Sequence, residues 1–427
     1  MNEPLGKHPR TLMLTATFPP RGGSGVQRAW YQFLAMGAAE FDLHVVTEKE
    51  TATWVTDEKM AGIALMEAVS RCNHSPNGIL RTLSRMASKV AGTTIYPDSH
   101  WQWILPAYRR CCEIVASEEK QMLLVSFGHP SALIVAALTK RKFPDLKLVV
   151  DIRDLWVGNP NQFAYVRRFG LLAIVDRQIE RWAFAKVDHV TGVSAGVVEE
   201  IQARYQWIKP EQTHVIQNGF DASMFDAPGD LTTTHESGSI YVFRHVGFVG
   251  PSQHLDVFFS AVQQLKKRDA IGLSDVSFEF TGGNPEYVRS LAVSAGVDDL
   301  VRSTGYVEHQ KAVELMCNAD VLLLFWGLGT GTVGGKTYEY LRAGRFIMAL
   351  DQENRDGRRL LEETRRGDWV SADDVSKQVE MLSLLISKLR NGIALLTEPL
   401  ISVREYSRQN QNARLIEVLD AIAHEGE

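Results

Sequence analysis

Short, largely apolar runs recur along the chain at Thr11 to Ala16, Leu43 to Thr47, Met122 to Phe127, Leu146 to Asp151, Val187 to Val193, Tyr241 to Phe248, Val276 to Thr281, Val321 to Phe325 and Phe346 to Leu350, each predicted to be a strand. Val321 to Phe325 is apolar throughout, as expected of a parallel strand covered on both faces. Between them lie stretches with helical spacing: Ala29 to Ala39, Leu171 to Phe184 with Arg177, Glu180 and Arg181 on its wet side, Leu255 to Lys267, and a helix around Lys311 to Cys317. Strand alternating with helix predicts doubly wound α/β architecture. The alternation lapses over residues 222 to 239, rich in Gly, Thr, Ser, Asp and Pro, and then restarts. Two α/β halves joined near residues 218 to 240 follow from that break.

The richest chemistry sits in VLLLFWGLGTGTVGGKTYEYLRAGRFIMAL, residues 321 to 350. Gly327, Gly329, Gly331, Gly334 and Gly335 separate a buried strand from a helix start that carries Lys336, Thr337 and Glu339. Glycines let backbone N–H groups approach a ligand, the helix start is electropositive, and Lys336 adds a full charge, so a phosphate or pyrophosphate suits the place. Glu339, one turn in, can accept hydrogen bonds from hydroxyls, and phosphate with vicinal hydroxyls describes a nucleotide. A glycine loop closing an ordinary αβ unit is the plainer alternative. An ATPase-type loop fits less well: Gly335-Lys336-Thr337 matches, but Thr330 stands where the first glycine belongs. Asp351 after the strand Phe346 to Leu350 imitates a magnesium-binding Asp, yet that strand directly follows the loop's own helix.

Three further segments end at predicted strand termini, where open α/β sheets bind ligands. Phe18 to Arg28 carries Gly22, Gly23 and Arg28; Gly128-His129-Pro130 follows the strand at Met122; and Asp151-Ile152-Arg153-Asp154-Leu155-Trp156 follows the strand at Leu146. Asp and Arg two apart also read as an ion-pair network bracing a loop, and an isolated His is commonly structural. Both alternatives stand for these residues.

Taken together these motifs resemble the retaining family 4 glycosyltransferases of the GT-B fold, over almost the whole chain. Glu339-Tyr340-Leu341-Arg342-Ala343-Gly344-Arg345-Phe346 is similar to the family's Glu and Ala-Gly-x-Pro element, with Phe346 where proline is usual. Gly331 occupies the place of the first glutamate of the usual pair, and the chain looks like a sub-group with Gly-Lys-x-x-Glu-Tyr-Leu instead. Asp151-x-Arg153-Asp154-x-Trp156 resembles a marker of the same sub-group, and Val215-Ile216-Gln217-Asn218-Gly219-Phe220-Asp221 resembles the family's interdomain hinge.

The resemblance implies two Rossmann-like domains facing across a cleft. Residues 1–217 would bind the acceptor, residues 218–403 the nucleotide-sugar donor, and residues 404–427, with apolar Leu415, Val418 and Leu419, would cross back to the first domain. It implies transfer of a sugar from a nucleotide diphosphate sugar to a hydroxyl of a glycan or lipid-linked saccharide, with retention and with no metal or other cofactor. His129, Asp151, Arg153 and Asp154 would serve the reacting centre. Gly22, Gly23, Arg28, Gly250, Gly334, Gly335, Lys336, Thr337 and Glu339 would hold the donor. Gln253 and His254 stand where many members carry an Arg and Lys for the diphosphate, which leaves that task to Lys336, Arg28 and the amides. A nucleotide-sugar 2-epimerase of the same fold and a non-catalytic partner subunit remain as alternatives.

Composition narrows the setting. The 427 residues suffice for two domains, each with its own core. A net charge of −5 does not suit a nucleic-acid partner, which calls for a basic face. Cys72, Cys111, Cys112 and Cys317 show neither metal-ligand spacing nor a disulfide framework, which suits a reducing compartment. No run resembles a signal peptide or a membrane span, so a cytoplasmic location is expected. From residue 80 to residue 90, Leu80, Leu83, Ala87 and Val90 share one helical side while Arg81, Arg85 and Lys89 share another. That pattern fits a basic amphipathic helix on an anionic membrane surface, and equally a surface helix packed on its own domain. Trp101 and Trp103 are candidates for an acceptor groove or for the core.

Overall fold

The computed structural model describes residues 8–19, 24–48, 66–69, 97–158, 170–225, 240–268, 270–272, 275–326 and 333–425. The chain divides into two compact units, one of residues 1–217 with 411–427 and one of residues 218–410.

The first unit is built on a parallel sheet of seven strands, ordered β3-β2-β1-β4-β5-β6-β7. These are β1 (Thr11–Thr15), β2 (Leu43–Glu48), β3 (Met66–Val69), β4 (Met122–Phe127), β5 (Lys147–Ile152), β6 (His189–Gly192) and β7 (Thr213–Val215). Largely apolar strands make sense here because both sheet faces are covered. Leu12, Leu14, Leu123 and Val125 point to a core shared with helices Ile104–Ser117 and Pro130–Lys142. Met13, Val45 and Leu124 point the other way, to Trp30 and Met36 of helix Ser24–Ala38 and to Leu415, Leu419 and Ile422 of helix Arg408–Ala423. The carboxyl-terminal helix is therefore part of the first unit's core.

The second unit repeats the plan with six parallel strands, ordered β10-β9-β8-β11-β12-β13. They are β8 (Tyr241–Val246), β9 (Val276–Thr281), β10 (Val301–Thr304), β11 (Val321–Phe325), β12 (Phe346–Asp351) and β13 (Gly367–Ser371). One face packs Phe243, Phe278, Leu323 and Met348 against helices Leu255–Lys267 and Val375–Arg390. The other packs Leu322, Leu324 and Ile347 against helices His309–Cys317, Gly335–Ala343 and Arg355–Thr364.

Strand order reverses between β1 and β4 in one sheet and between β8 and β11 in the other. At such a switch point the loops diverge to either side and leave a crevice at the carboxyl edge. In the second sheet the divergence begins early. β8 stays in register with β9 from Tyr241↔Val276 to Val246↔Thr281, but pairs with β11 only at Phe243↔Val321 and Arg244↔Leu322. The strand expected to reach Phe248 stops at Val246, because Gly247 turns the chain with φ +127°. Among the described residues no helix is long and apolar enough to cross a membrane.

Candidate functional site

In the second unit, the parting of β8 from β11 is filled by side chains. The Tyr340 hydroxyl accepts a hydrogen bond from the Val246 amide at 2.7 Å. His245, fully buried, directs Nδ1 to the Leu323 carbonyl at 2.9 Å. A carbonyl can only accept, so Nδ1 carries the proton and Nε2 presents a lone pair. That lone pair receives the Lys336 ammonium at 3.4 Å. Burial and the neighbouring Lys336 charge push the His245 pKa down to about 3, so the imidazole is neutral at any physiological pH.

Lys336 is the second residue of helix Gly335–Ala343, whose amino end is capped by Gly334 without a side-chain hydrogen bond. Its ammonium is drawn back against Gly247, where a Cβ would stand 2.5 Å from Lys336 Cε and overlap Nζ. Burial lowers its pKa from the usual lysine value to about 8, with Glu339 opposing that shift. A cation held at the amino end of a helix, at a switch point, is suited to a phosphate or pyrophosphate. Glu339 lies one turn on, and its Oε1 meets His309 Nε2 at 2.9 Å. That hydrogen bond, opposed by burial and reinforced by the carboxylate's charge, raises the His309 pKa. Asn218 of the hinge-like segment donates from Nδ2 to the Val333 carbonyl at 3.0 Å and so anchors the residue before Gly334.

Other expected donor residues are placed differently. Thr337 is buried and its Oγ1 lies 3.4 Å from Trp326 Nε1, so its hydroxyl braces the helix from within. The Gly250 amide is taken by Gln253 Oε1 at 2.6 Å. Gln253 Nε2 donates to the Phe325 carbonyl and His254 Nδ1 pairs with Asp373 at 3.0 Å, so both are engaged within the fold. Asp351, the mimic of a magnesium ligand, accepts from the Asn354 amide at 2.8 Å and from Arg358. Gly22, Gly23, Gly327, Gly329 and Gly331 lie outside the described residues, as do Cys72 and residues 80–90.

In the first unit, Asp151 and Arg28, expected at the reacting centre and the donor site, bind one another. Asp151 is fully buried at the end of β5. Its Oδ1 accepts from Arg28 Nη2 at 2.7 Å and Thr191 Oγ1 at 2.7 Å, and its Oδ2 from Arg28 Nε at 2.8 Å and Gln32 Nε2 at 3.0 Å. A carboxylate has about four acceptor positions, and all are used. Burial alone would raise its pKa, but the Arg28 charge and these hydrogen bonds outweigh burial and hold it below the usual carboxylate range. Arg28 also donates from Nη2 to the Ile216 carbonyl at 2.8 Å and from Nη1 to the Gln217 carbonyl at 3.0 Å. The pair is a lock joining helix Ser24–Ala38, β5 and the end of the unit, and the Asp151 carboxylate has no acceptor position left for a substrate.

Arg153 does not pair with Asp151 in the way their spacing suggested. Its guanidinium lies directly on Gly128, where any Cβ would collide with Nη2, and its buried Nε has no hydrogen-bond partner among the described residues. Burial lowers its pKa, opposed by Asp154 and Asp151. Asp154, after the end of β5, is exposed, and His129, after the end of β4, is half-buried. The His129 ring meets that of His100 at 4.4 Å between centroids. His100, which pattern reasoning missed, is fully buried and bonds Glu48 through Nδ1 at 2.5 Å. Asp98, also missed, accepts from the Ser131 amide at 2.7 Å and so occupies the amino end of helix Pro130–Lys142. Neither had a local motif; only their proximity in the fold reveals them. Trp103 is fully buried in the core, whereas Trp101 is 44% exposed.

Residues 24–224 match the model of Glycosyltransferase Family 4. No curated protein matches the chain by sequence. Solved structures match it over nearly the full length at low identity. A glycosyltransferase from Rickettsia africae is 12% identical, covering 98% of this chain and 100% of its own, with a TM-score of 0.63. Anabaena HepE, in complex with UDP and glucose, is 15% identical over 97% of this chain and 100% of its own, at 0.62. A putative UDP-N-acetylglucosamine 2-epimerase from Listeria monocytogenes is 12% identical over 98% of each chain, at 0.52. The chain has the GT-B fold.

Proposed function

We propose that this chain is a glycosyltransferase that moves a sugar from a nucleotide diphosphate sugar to a hydroxyl of a glycan or lipid-linked saccharide, with retention and without a metal. One observation carries the reading: Lys336 lies in the first turn of helix Gly335–Ala343, whose amino end has no side-chain cap, at the switch point of the second sheet. Negative charge that builds on the diphosphate as the glycosidic bond breaks would meet a cation and oriented amides already in place. Glu339 would accept from the ribose hydroxyls, and His129, Arg153 and Asp154 of the first unit would orient the acceptor or the transferred sugar. The family match over residues 24–224 and the UDP and glucose bound by Anabaena HepE support the substrate class.

The test is a thermal-shift screen with UDP, GDP and ADP, followed by turnover of the matching nucleotide sugars with and without saccharide acceptors. Stabilisation by a diphosphate and acceptor-dependent transfer are expected, since a ligand of the native state raises apparent stability. Epimer formed without acceptor would assign the epimerase reading instead. Binding without turnover on any acceptor would assign a non-catalytic subunit, and no binding of any diphosphate would overturn the donor site.

A further inference from the structure

We propose that His245 is a positioning residue for donor binding: its neutral imidazole, pinned to the Leu323 carbonyl, accepts from Lys336 and aims the ammonium at the diphosphate. This inference rests on the donor-site reading above. A buried histidine on a strand usually satisfies itself within the sheet. Here the sheet is interrupted instead. β8 and β11 cease to pair after Arg244↔Leu322, and the imidazole of the next residue spans the parting. Its aromatic neighbours Phe280 and Phe325, with centroids at 6.1 and 5.3 Å, fix the ring plane. With Nδ1 donating to Leu323, the Nε2 lone pair faces Lys336, while the Gly247 and Phe248 backbone also lies against the ring.

The consequence is directional. A lysine on a four-carbon stem is a mobile point charge, and burial disfavours its ammonium. Two things confine it: Gly247, which leaves it a seat, and the His245 lone pair. The charged and titratable groups around this place are accounted for. Glu339, on the same helix, favours the ammonium. Arg244, beside His245 on β8, is neutralised by Glu279 at 2.5 Å, and the Tyr340 hydroxyl is engaged by Val246. His245 is thus the acceptor that orients Lys336 without adding a charge that would compete with phosphate for it.

The experiment compares UDP with uridine, GDP with guanosine and ADP with adenosine on wild type, His245→Asn and His245→Gln. The Asn amide can replace Nδ1 toward Leu323 but offers nothing to Lys336, whereas the Gln carbonyl can reach toward the ammonium. His245→Asn should weaken the preferred diphosphate roughly tenfold while leaving its nucleoside nearly unchanged, and His245→Gln should recover part of the loss. The pH at which diphosphate affinity declines should also move down in His245→Asn, because an ammonium deprived of an acceptor loses its proton more readily. A merely structural role would weaken nucleoside and diphosphate together and leave that pH in place, which overturns the inference. Should the Asn variant not fold, nitrogen NMR of the wild-type imidazole decides: an Nδ1–H tautomer whose Nε2 signal moves in Lys336→Ala supports it, and an Nε2–H tautomer refutes it. Wild type binding no diphosphate would defeat the donor-site reading; wild type and Lys336→Ala behaving as expected with His245→Asn unchanged would defeat this inference alone.

Discussion

Lys336 occupies the room that a side chain on residue 247 would need. A methyl there would stand 2.5 Å from Lys336 Cε and overlap Nζ, and Gly247 adopts φ +127°, a conformation L side chains rarely take. The strand end and the lysine are thus fitted to one another across about ninety residues of sequence.

Gly247→Ala should therefore evict the ammonium as well as strain the turn. Diphosphate affinity should fall by roughly tenfold or more, in line with loss of a charge-assisted contact, and nucleoside affinity much less. Calorimetric titration of both ligands on the folded variant checks this; equal losses would mean that the glycine serves only the backbone.

The lowered Lys336 pKa gives the donor site a pH dependence of fixed sign. The ammonium is present below its pKa of about 8 and is lost as pH rises through it, so diphosphate affinity should decline above pH 8. His245, neutral down to about pH 3, contributes no titration in that range. In Lys336→Ala the affinity should be low and its decline above pH 8 should vanish. A wild-type profile flat to pH 10 would remove Lys336 from the phosphate contact.

Much of this was legible in the sequence because it is written locally. Strands such as Val321–Phe325 are uninterrupted apolar runs, and the Gly-Lys-x-x-Glu element marks the start of helix Gly335–Ala343. Gly247 and His245 were not legible, because a glycine and a histidine at a strand end acquire meaning only when a lysine ninety residues away reaches them. β10 and β13 escaped because their side chains are part-exposed and mixed in polarity, so no apolar run announces them. The Asp-x-Arg pair stayed undecided for a related reason. Spacing left open that Asp151 and Arg153 satisfy each other, whereas the fold gives Asp151 to Arg28 and lays Arg153 on Gly128.

The Asp151–Arg28 lock should show itself in stability. Removing one charge from a buried pair leaves the other unmatched, so Asp151→Asn should destabilise the protein by about 3–5 kcal/mol at pH 7. Because the folded-state pKa of Asp151 is depressed, its contribution is complete above the usual carboxylate pKa and is lost as pH falls through the folded value. Urea unfolding of wild type and variant should accordingly differ widely at neutral pH and converge in acid. A variant as stable as wild type at pH 7 would refute the lock, and one that is stable but inactive would restore a catalytic role to Asp151.

Glu339 provides the complementary test of the donor site. If its carboxylate receives the ribose hydroxyls, Glu339→Gln should weaken nucleoside and nucleoside diphosphate by the same factor, since the ribose is common to both and a neutral amide is the poorer acceptor. Lys336→Ala should separate the two ligands. His309 adds a second dimension, because it already bonds Glu339 Oε1 at 2.9 Å and its raised pKa means that it charges more readily than a free histidine. As pH falls, the imidazolium should hold the carboxylate more tightly and compete with the ribose, so nucleoside affinity should drop in mild acid. His309→Ala should abolish that drop while leaving affinity at pH 8 close to wild type. Nucleoside binding that ignores both Glu339→Gln and pH would place the ribose elsewhere, and the phosphate contact at Lys336 would then have to stand on its own.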